Sequence, residues 1–328
     1  MKPSQALKTL RTCLDKRLRV MLAGPPGVGK SDIFAQAAAE AGIDLEIWHP
    51  STWDVVDARG LPYASADGRA SFLPYGDLRR AMEASKPLAI LLDDLGQAPP
   101  AVQAALMQLI LSNRVGEHHL PPHVCFYAAT NRREDRAAVS ALIEPVKSRF
   151  HSIISLDVDL DDWTLWAYAH SISPEVVAYL RFRPDALHEF RATTDVTNSP
   201  CPRTWKHVSD LLQAGLSDDE TLAGAVGKGR ASEFREFLKI FRSLPDLDGC
   251  ILQPDTSPIP SGTSARIACA VGLAARCTTR NFGQIVRYVE RISKEVETTC
   301  VNDCYRREKG IANTQAWQQW VAKNGEYV

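Results

Sequence analysis

The segment Gly24-Pro25-Pro26-Gly27-Val28-Gly29-Lys30-Ser31 fits the spacing G-x-x-x-x-G-K-[ST]. Glycines at these positions let main-chain N–H groups turn inward around phosphate oxygens, and a helix starting at the lysine adds partial positive charge. In such a loop Lys30 bridges the β- and γ-phosphates of a nucleotide, and the Ser31 hydroxyl joins a Mg²⁺ shell. The expected ATP-binding set runs from Gly24 through Ser31 to Asp32. A loop of this kind binds nucleotide without cleaving it, so a carboxylate is needed at the end of a neighbouring strand. Asp93 and Asp94 follow the apolar run Leu88 to Leu92. Asp93 is expected to hold Mg²⁺, usually through water, and Asp94 to orient the attacking water. The alternative is that both aspartates cap the helix expected over Ala101 to Leu111.

Three further polar residues have two readings each. Asn131 ends the run Val124 to Ala129, where its amide could reach a phosphate or a water, or simply form a turn. Arg149, in Ser148-Arg149-Phe150, ends an expected helix just before the last strand and satisfies helix-terminal carbonyls on the plain reading. Arg203 begins an expected helix, where a lone arginine is ordinarily solvated.

The elements that would position these groups are legible from periodicity. Leu18 to Ala23 reads as a strand entering the glycine loop, and Ser31 to Ala41 as the helix leaving it. Further strand runs are Leu45 to Trp48, Leu88 to Leu92, Val124 to Ala129 and Ser152 to Val158, separated by helical stretches, which predicts a parallel sheet covered on both faces. Pro50 to Pro74 reads as loops or a small hairpin. Beyond Val158 the chain turns helical, so the expected domains are 1–158, α/β, and 159–328, all α. Phe234, Phe237, Leu238 and Phe241 form one apolar stripe; Phe282, Ile285, Val286 and Val289 form another that continues to Ile292 and Val296. Leu244 to Ser264 reads as a long connection.

The chain has 328 residues, 45% apolar content and a formal net charge of −1. That supports a sizeable core and gives no overall positive field toward nucleic acid or an anionic membrane. No apolar run approaches the ~20 residues of a membrane span, and no secretory leader is legible, so a cytoplasmic protein is expected. The eight cysteines lack paired Cys-x-x-Cys spacing and are read as reduced and structural, with no zinc expected. His118, His119 and His123 are read as a solvated turn.

The order of these motifs resembles the AAA+ superfamily, and within it the MoxR-like branch, including versions from phage and mobile elements. GPPGVGKS is similar to that branch's phosphate loop, LLDDLGQAPPAVQAALMQLI to its second motif, AATNRREDRA to its sensor-one segment, VKSRF to its arginine-finger segment and PCPRTW to its sensor-two segment. The match runs from Arg19 to about Leu212. It implies a P-loop NTPase three-layer parallel sheet followed by an all-α lid and C-terminal helices, with a hairpin around Asn113 to Pro122. It further implies Mg-dependent ATP hydrolysis in a hexameric homo-oligomer that acts on a protein client, one with a von Willebrand factor A domain being typical. Under the resemblance Asn131 is sensor one, Arg149 a finger reaching a neighbouring subunit's site, and Arg203 a lid contact to the γ-phosphate. Asp94 departs from the usual glutamate by one methylene, which either slows hydrolysis or is offset by an advance of the backbone, with nucleotide binding unaffected. The rival readings are a nucleic-acid motor, which the absence of a basic run disfavours, and a nucleotide-switched scaffold.

Overall fold

The computed structural model describes residues 1–64, 66, 68–132, 142–190 and 196–325. The chain divides into two compact units, Met1–Val158 and Asp159–Val328.

In the first unit the elements run α1 (Pro3–Asp15), β1 (Val20–Ala23), α2 (Lys30–Ala41), β2 (Asp44–Trp48), α3 (Val55–Arg59), β3 (Leu61–Ala64), β4 (Ala70–Leu73), α4 (Gly76–Met82), β5 (Leu88–Leu92), α5 (Pro100–Ser112), β6 (Arg114–Val115), β7 (His118–His119), β8 (Val124–Thr130), α6 (Glu144–Lys147) and β9 (Ser152–Ser155). Five strands form one parallel sheet in the order β2-β5-β8-β1-β9. Side chains alternate across it, as a period of two requires. Ile90, Leu92, Phe126 and Ala128 pack on one face with Val102, Leu106 and Leu109 of α5. Ala89, Leu91, Cys125 and Tyr127 pack on the other with Leu10 and Leu14 of α1 and Phe34, Ala37 and Ala38 of α2. Both faces are covered, so β5 and β8 read as unbroken apolar runs rather than alternating ones. Each large side chain buried here, such as Phe34 or Phe126, contributes about 1.5–3 kcal/mol.

The segment from Pro50 to Pro74 contains α3 and the antiparallel hairpin β3–β4. A second hairpin, β6–β7, follows α5. It corrects the reading of His118 and His119 as a plain turn. His123 is not solvated either: its Nε2 meets the Ala84 carbonyl at 2.8 Å.

The second unit contains ten α-helices and no strand among its described residues: α7 (Leu160–Ala169), α8 (Pro174–Phe182), α9 (Pro202–Gln213), α10 (Asp219–Val226), α11 (Lys228–Arg242), α12 (Leu247–Leu252), α13 (Thr263–Ala275), α14 (Phe282–Val289), α15 (Lys294–Arg307) and α16 (Gln315–Asn324). Tyr179 of α8 sits among Trp205, Phe234 and Phe237, with ring centroids 5.2, 5.2 and 5.6 Å away. Two expectations need correction here. The stripe from Phe282 to Val296 is two helices, because the Ser293 side chain accepts from Val296 N and starts α15 as its N-cap. The connection from Leu244 to Ser264 contains α12, whose cap Asp246 accepts from Asp248 N and Gly249 N. All eight cysteines are free and buried. Among the described residues no helix is long and apolar enough to cross a membrane.

Candidate functional site

Strand order brings three chain segments together at the carboxyl end of the sheet. β8 lies between β1 and β5, and neighbouring strands are ~4.8 Å apart. The glycine loop after β1 and the aspartates after β5 therefore lie about 10 Å apart, with Asn131, which follows β8, between them.

The loop is glycine-rich for two steric reasons. Gly27 and Gly29 have φ of 72° and 92°, left-handed values that cost most residues strain. A Cβ on Gly24 would stand 2.8 Å from the Leu156 carbonyl oxygen, so only glycine fits beside the chain leaving β9. Gly24 N also donates to the Thr130 carbonyl at 3.2 Å, tying the loop to the end of β8. Pro25 and Val28 are buried, Pro26 and Gly27 partly so. Lys30 opens α2 with Gly29 as the preceding left-handed residue, and Asp32 lies in the exposed first turn.

Lys30 is 8% exposed. Its Nζ donates to the carbonyls of Gly24 and Pro25, each at 3.0 Å, and to Asn131 Oδ1 at 2.7 Å. The Asn131 amide turns its other end to the aspartates: Nδ2 donates to Asp94 Oδ1 at 3.3 Å. Asn131 thus bridges the loop lysine and Asp94 through one rigid amide, which a turn former would not do. Ser31 Oγ donates to Asp93 Oδ2 at 2.7 Å, and Asp93 Oδ1 accepts from Asp94 N at 3.1 Å.

The aspartates do not cap α5, whose N-cap is Pro99. Asp94 instead has φ 50° and ψ 35°, a left-handed conformation at the start of a short 3₁₀ turn, Leu95–Gln97. Asp and Asn visit that region more readily than longer side chains. Such strain is kept where the surroundings over-determine it.

Arg149 is not part of this cluster in the first unit. Arg149 lies in the turn before β9, at the amino end of that strand. Its Nε donates to the Met107 carbonyl at 3.0 Å and its Nη1 to the Pro145 carbonyl. Arg203 is exposed in the first turn of α9, in the second unit. The segment similar to sensor one continues past Arg132 outside the described residues. Sequence reasoning missed Thr130 and Leu156. No local signal marks either one, since each matters only through strand register.

The five-stranded order, the glycine loop entering α2 from the central strand and the helical second unit make this the P-loop NTPase fold of AAA+ type. No protein-family model and no curated protein sequence matches the chain. Solved structures do. The Thermotoga maritima RuvB Holliday junction branch migration motor is 15% identical with a TM-score of 0.42, covering 87% of this chain and 85% of that one. A mutant form of that RuvB is 17% identical with a TM-score of 0.41, covering 82% and 80%. NtrX from Brucella abortus in complex with ADP is 14% identical with a TM-score of 0.45, covering 98% and 68%. Identities this low concern the course of the chain alone.

Proposed function

We propose that this chain is a MoxR-like AAA+ ATPase that hydrolyses Mg-ATP in a ring and uses the energy to remodel or mature a protein partner. The observation that carries the reading is the bridge from Lys30 through Asn131 to Asp94, beside the Ser31–Asp93 pair. The loop N–H groups and Lys30 grip the phosphates. Asp94 accepts a proton or a hydrogen bond from the attacking water, and Asn131 holds that carboxylate in register with the lysine. Ser31 and Asp93 offer hard oxygen donors of the kind Mg²⁺ takes, and the ion supplies neutralising charge at the phosphate oxygens.

Position argues for catalysis between copies. β1 and β9 are parallel and paired from Val20↔Ser152 to Ala23↔Ser155. Arg149 precedes that ladder and the phosphate loop follows it, so a strand length of about 10 Å separates them before either side chain extends. An arginine at the far end of the sheet serves the site of a neighbouring copy. Arg203 places a cation at a helix N-terminus, where the macrodipole disfavours it; folding supplies no reason for it, which supports its assignment as the lid contact. The ring is taken as hexameric, and the client as a von Willebrand factor A domain protein, from the family resemblance.

The test is turnover per subunit against protein concentration. It should rise with assembly, and mixing Asp94→Ala with Arg149→Ala subunits should restore activity, since a donated arginine is worth ~10³–10⁵ in rate. Turnover that stays constant down to the monomer removes the shared site. A second reading, a nucleotide-switched scaffold, rests on the short side chain of Asp94; a single burst of phosphate without steady turnover would establish it.

A further inference from the structure

Among the described residues of the first unit, Gln103 is the polar side chain with no exposure at all. It sits on α5 in the same stretch as the core residues Val102, Ala105 and Leu106, where an unpaired amide would be costly. Both of its ends are paired. Nε2 donates to the Ala98 carbonyl and Oε1 accepts from Ile143 N, each at 3.0 Å. The amide cannot be turned end for end, because one partner is an acceptor and the other a donor.

Ile143 begins the segment that ends in Arg149. Within it Val146 N donates to the Ile143 carbonyl at 3.0 Å, Arg149 N to Val146 at 3.1 Å and Phe150 N to Lys147 at 3.2 Å. Those bonds shape the segment without fastening it to another element. Val146 and Phe150 pack into the core on the α5 side of the sheet, but apolar attraction is non-directional. Among the described residues, two hydrogen bonds tie the segment to α5: Ile143 N to Gln103 Oε1, and Arg149 Nε to the Met107 carbonyl at 3.0 Å. Gln103 and Met107 are four residues apart, on one face of the helix. The other partner of Gln103 has support of its own. Ala98 N donates to the Leu95 carbonyl at 3.2 Å and Gln97 N to the Asp94 carbonyl at 2.8 Å, so the turn after Asp94 closes without the amide.

We infer that Gln103 is a positioning residue for the arginine that one copy lends to the next. It fixes the start of the Arg149 segment on α5, as the Met107 carbonyl fixes its end, and so presents the guanidinium at a set place. This rests on the reading of Arg149 as a residue shared between copies. Arg149 is half-buried; its Nε and Nη1 are held by carbonyls of its own subunit, and Nη2 has no partner among the described residues. That nitrogen is left for a neighbour. Placement matters because a displacement of about 1 Å can cost ~10²-fold in rate.

The experiment is the mixed assembly, with Gln103 altered in one partner at a time. Asp94→Ala subunits lend Arg149, and Arg149→Ala subunits receive it. Gln103→Met keeps the length of the side chain and deletes both hydrogen bonds. In the lending subunit it should lower the turnover of the mixture by about 10- to 100-fold. In the receiving subunit it should change turnover by less than about twofold, and that subunit's Mg-ATP affinity, titrated with a fluorescent nucleotide, should stay within the same margin. A general structural defect would act alike in either place. Ile143→Pro tests the same bond from its other side and serves alone if Gln103→Met fails to fold. Ile143 has φ −65°, a value proline adopts, so the change removes the N–H that Gln103 accepts and leaves α5 untouched. It should repeat the asymmetry. Equal loss from both placements in co-assembled mixtures, loss confined to the receiving subunit, or no loss from either variant would overturn the inference. If the mixture with Gln103 intact recovers no activity, the lent arginine itself falls, and this role of Gln103 with it.

Discussion

Each unit contains a largely buried cation, and the side chains around the two differ. Lys30, in the first unit, donates to two main-chain carbonyls and an amide oxygen. Arg181, in the second, has a side chain 12% exposed and donates to Asp161 Oδ1 at 2.7 Å and Asp303 Oδ1 at 2.6 Å. Arg306 adds a bond to Asp161 at 2.8 Å, and the Tyr168 hydroxyl donates to Asp303 at 3.0 Å. Burial pushes the Asp303 carboxyl above the usual carboxylate range, while Arg181 and Tyr168 pull it back. Burial also opposes ionisation of Asp161, but its bonds to Arg306 and Arg181 prevail and hold it below that range. Carboxylates cancel a buried charge and turn it into a fastener, here among α7, α8 and α15. The neutral oxygens bonded to Lys30 Nζ fix where that ammonium stands, against the carbonyls of the glycine loop where an incoming phosphate would meet it.

That contrast can be broken by exchanging readouts. Lys30→Ala should weaken Mg-ATP binding by at least about 100-fold, roughly 3 kcal/mol, because it deletes a buried charge aimed at the phosphates. Its melting temperature should hardly move; a large loss of stability with unchanged titration would make Lys30 a fastener like Arg181. Asp303→Asn should do the reverse, costing about 3 kcal/mol of stability by stranding part of the Arg181 charge, with nucleotide affinity retained. A denaturant midpoint equal to the parent's would show that the cluster carries no packing energy. The smallest effect sharpens the comparison within the site itself. Asp94→Gly relieves a left-handed Cβ, so stability should rise by up to about 1 kcal/mol while phosphate release is lost. Unstable protein with normal turnover would show that the strain has no connection to hydrolysis.

Much of the fold is legible before any coordinate is known. The strand runs Leu88 to Leu92 and Val124 to Ala129 stand out because both faces are covered, and their bounds agree with β5 and β8 to one residue. The glycine loop and Asp93-Asp94 are visible because they sit at abrupt ends of such runs. Less legible is where a helical stripe stops: Ile292 and Val296 continue the period of Phe282 to Val289, and only the capping bond at Ser293 separates two helices. The hairpin β6–β7 has two-residue strands, too short for alternation to register.

The spacing of residues within a few turns of chain set the element types, the phosphate loop and the paired carboxylates, because hydrophobic period, glycine torsions and helix starts are short-range effects. Which strand lies beside which is a long-range matter settled by packing the two faces of the sheet. That choice puts Asn131 between Lys30 and Asp94, presses Leu156 against Gly24, and sends Arg149 to the far end from its own loop. None of these three relations has a trace in the local pattern, since each joins residues that are distant along the chain and meet only once the sheet is ordered.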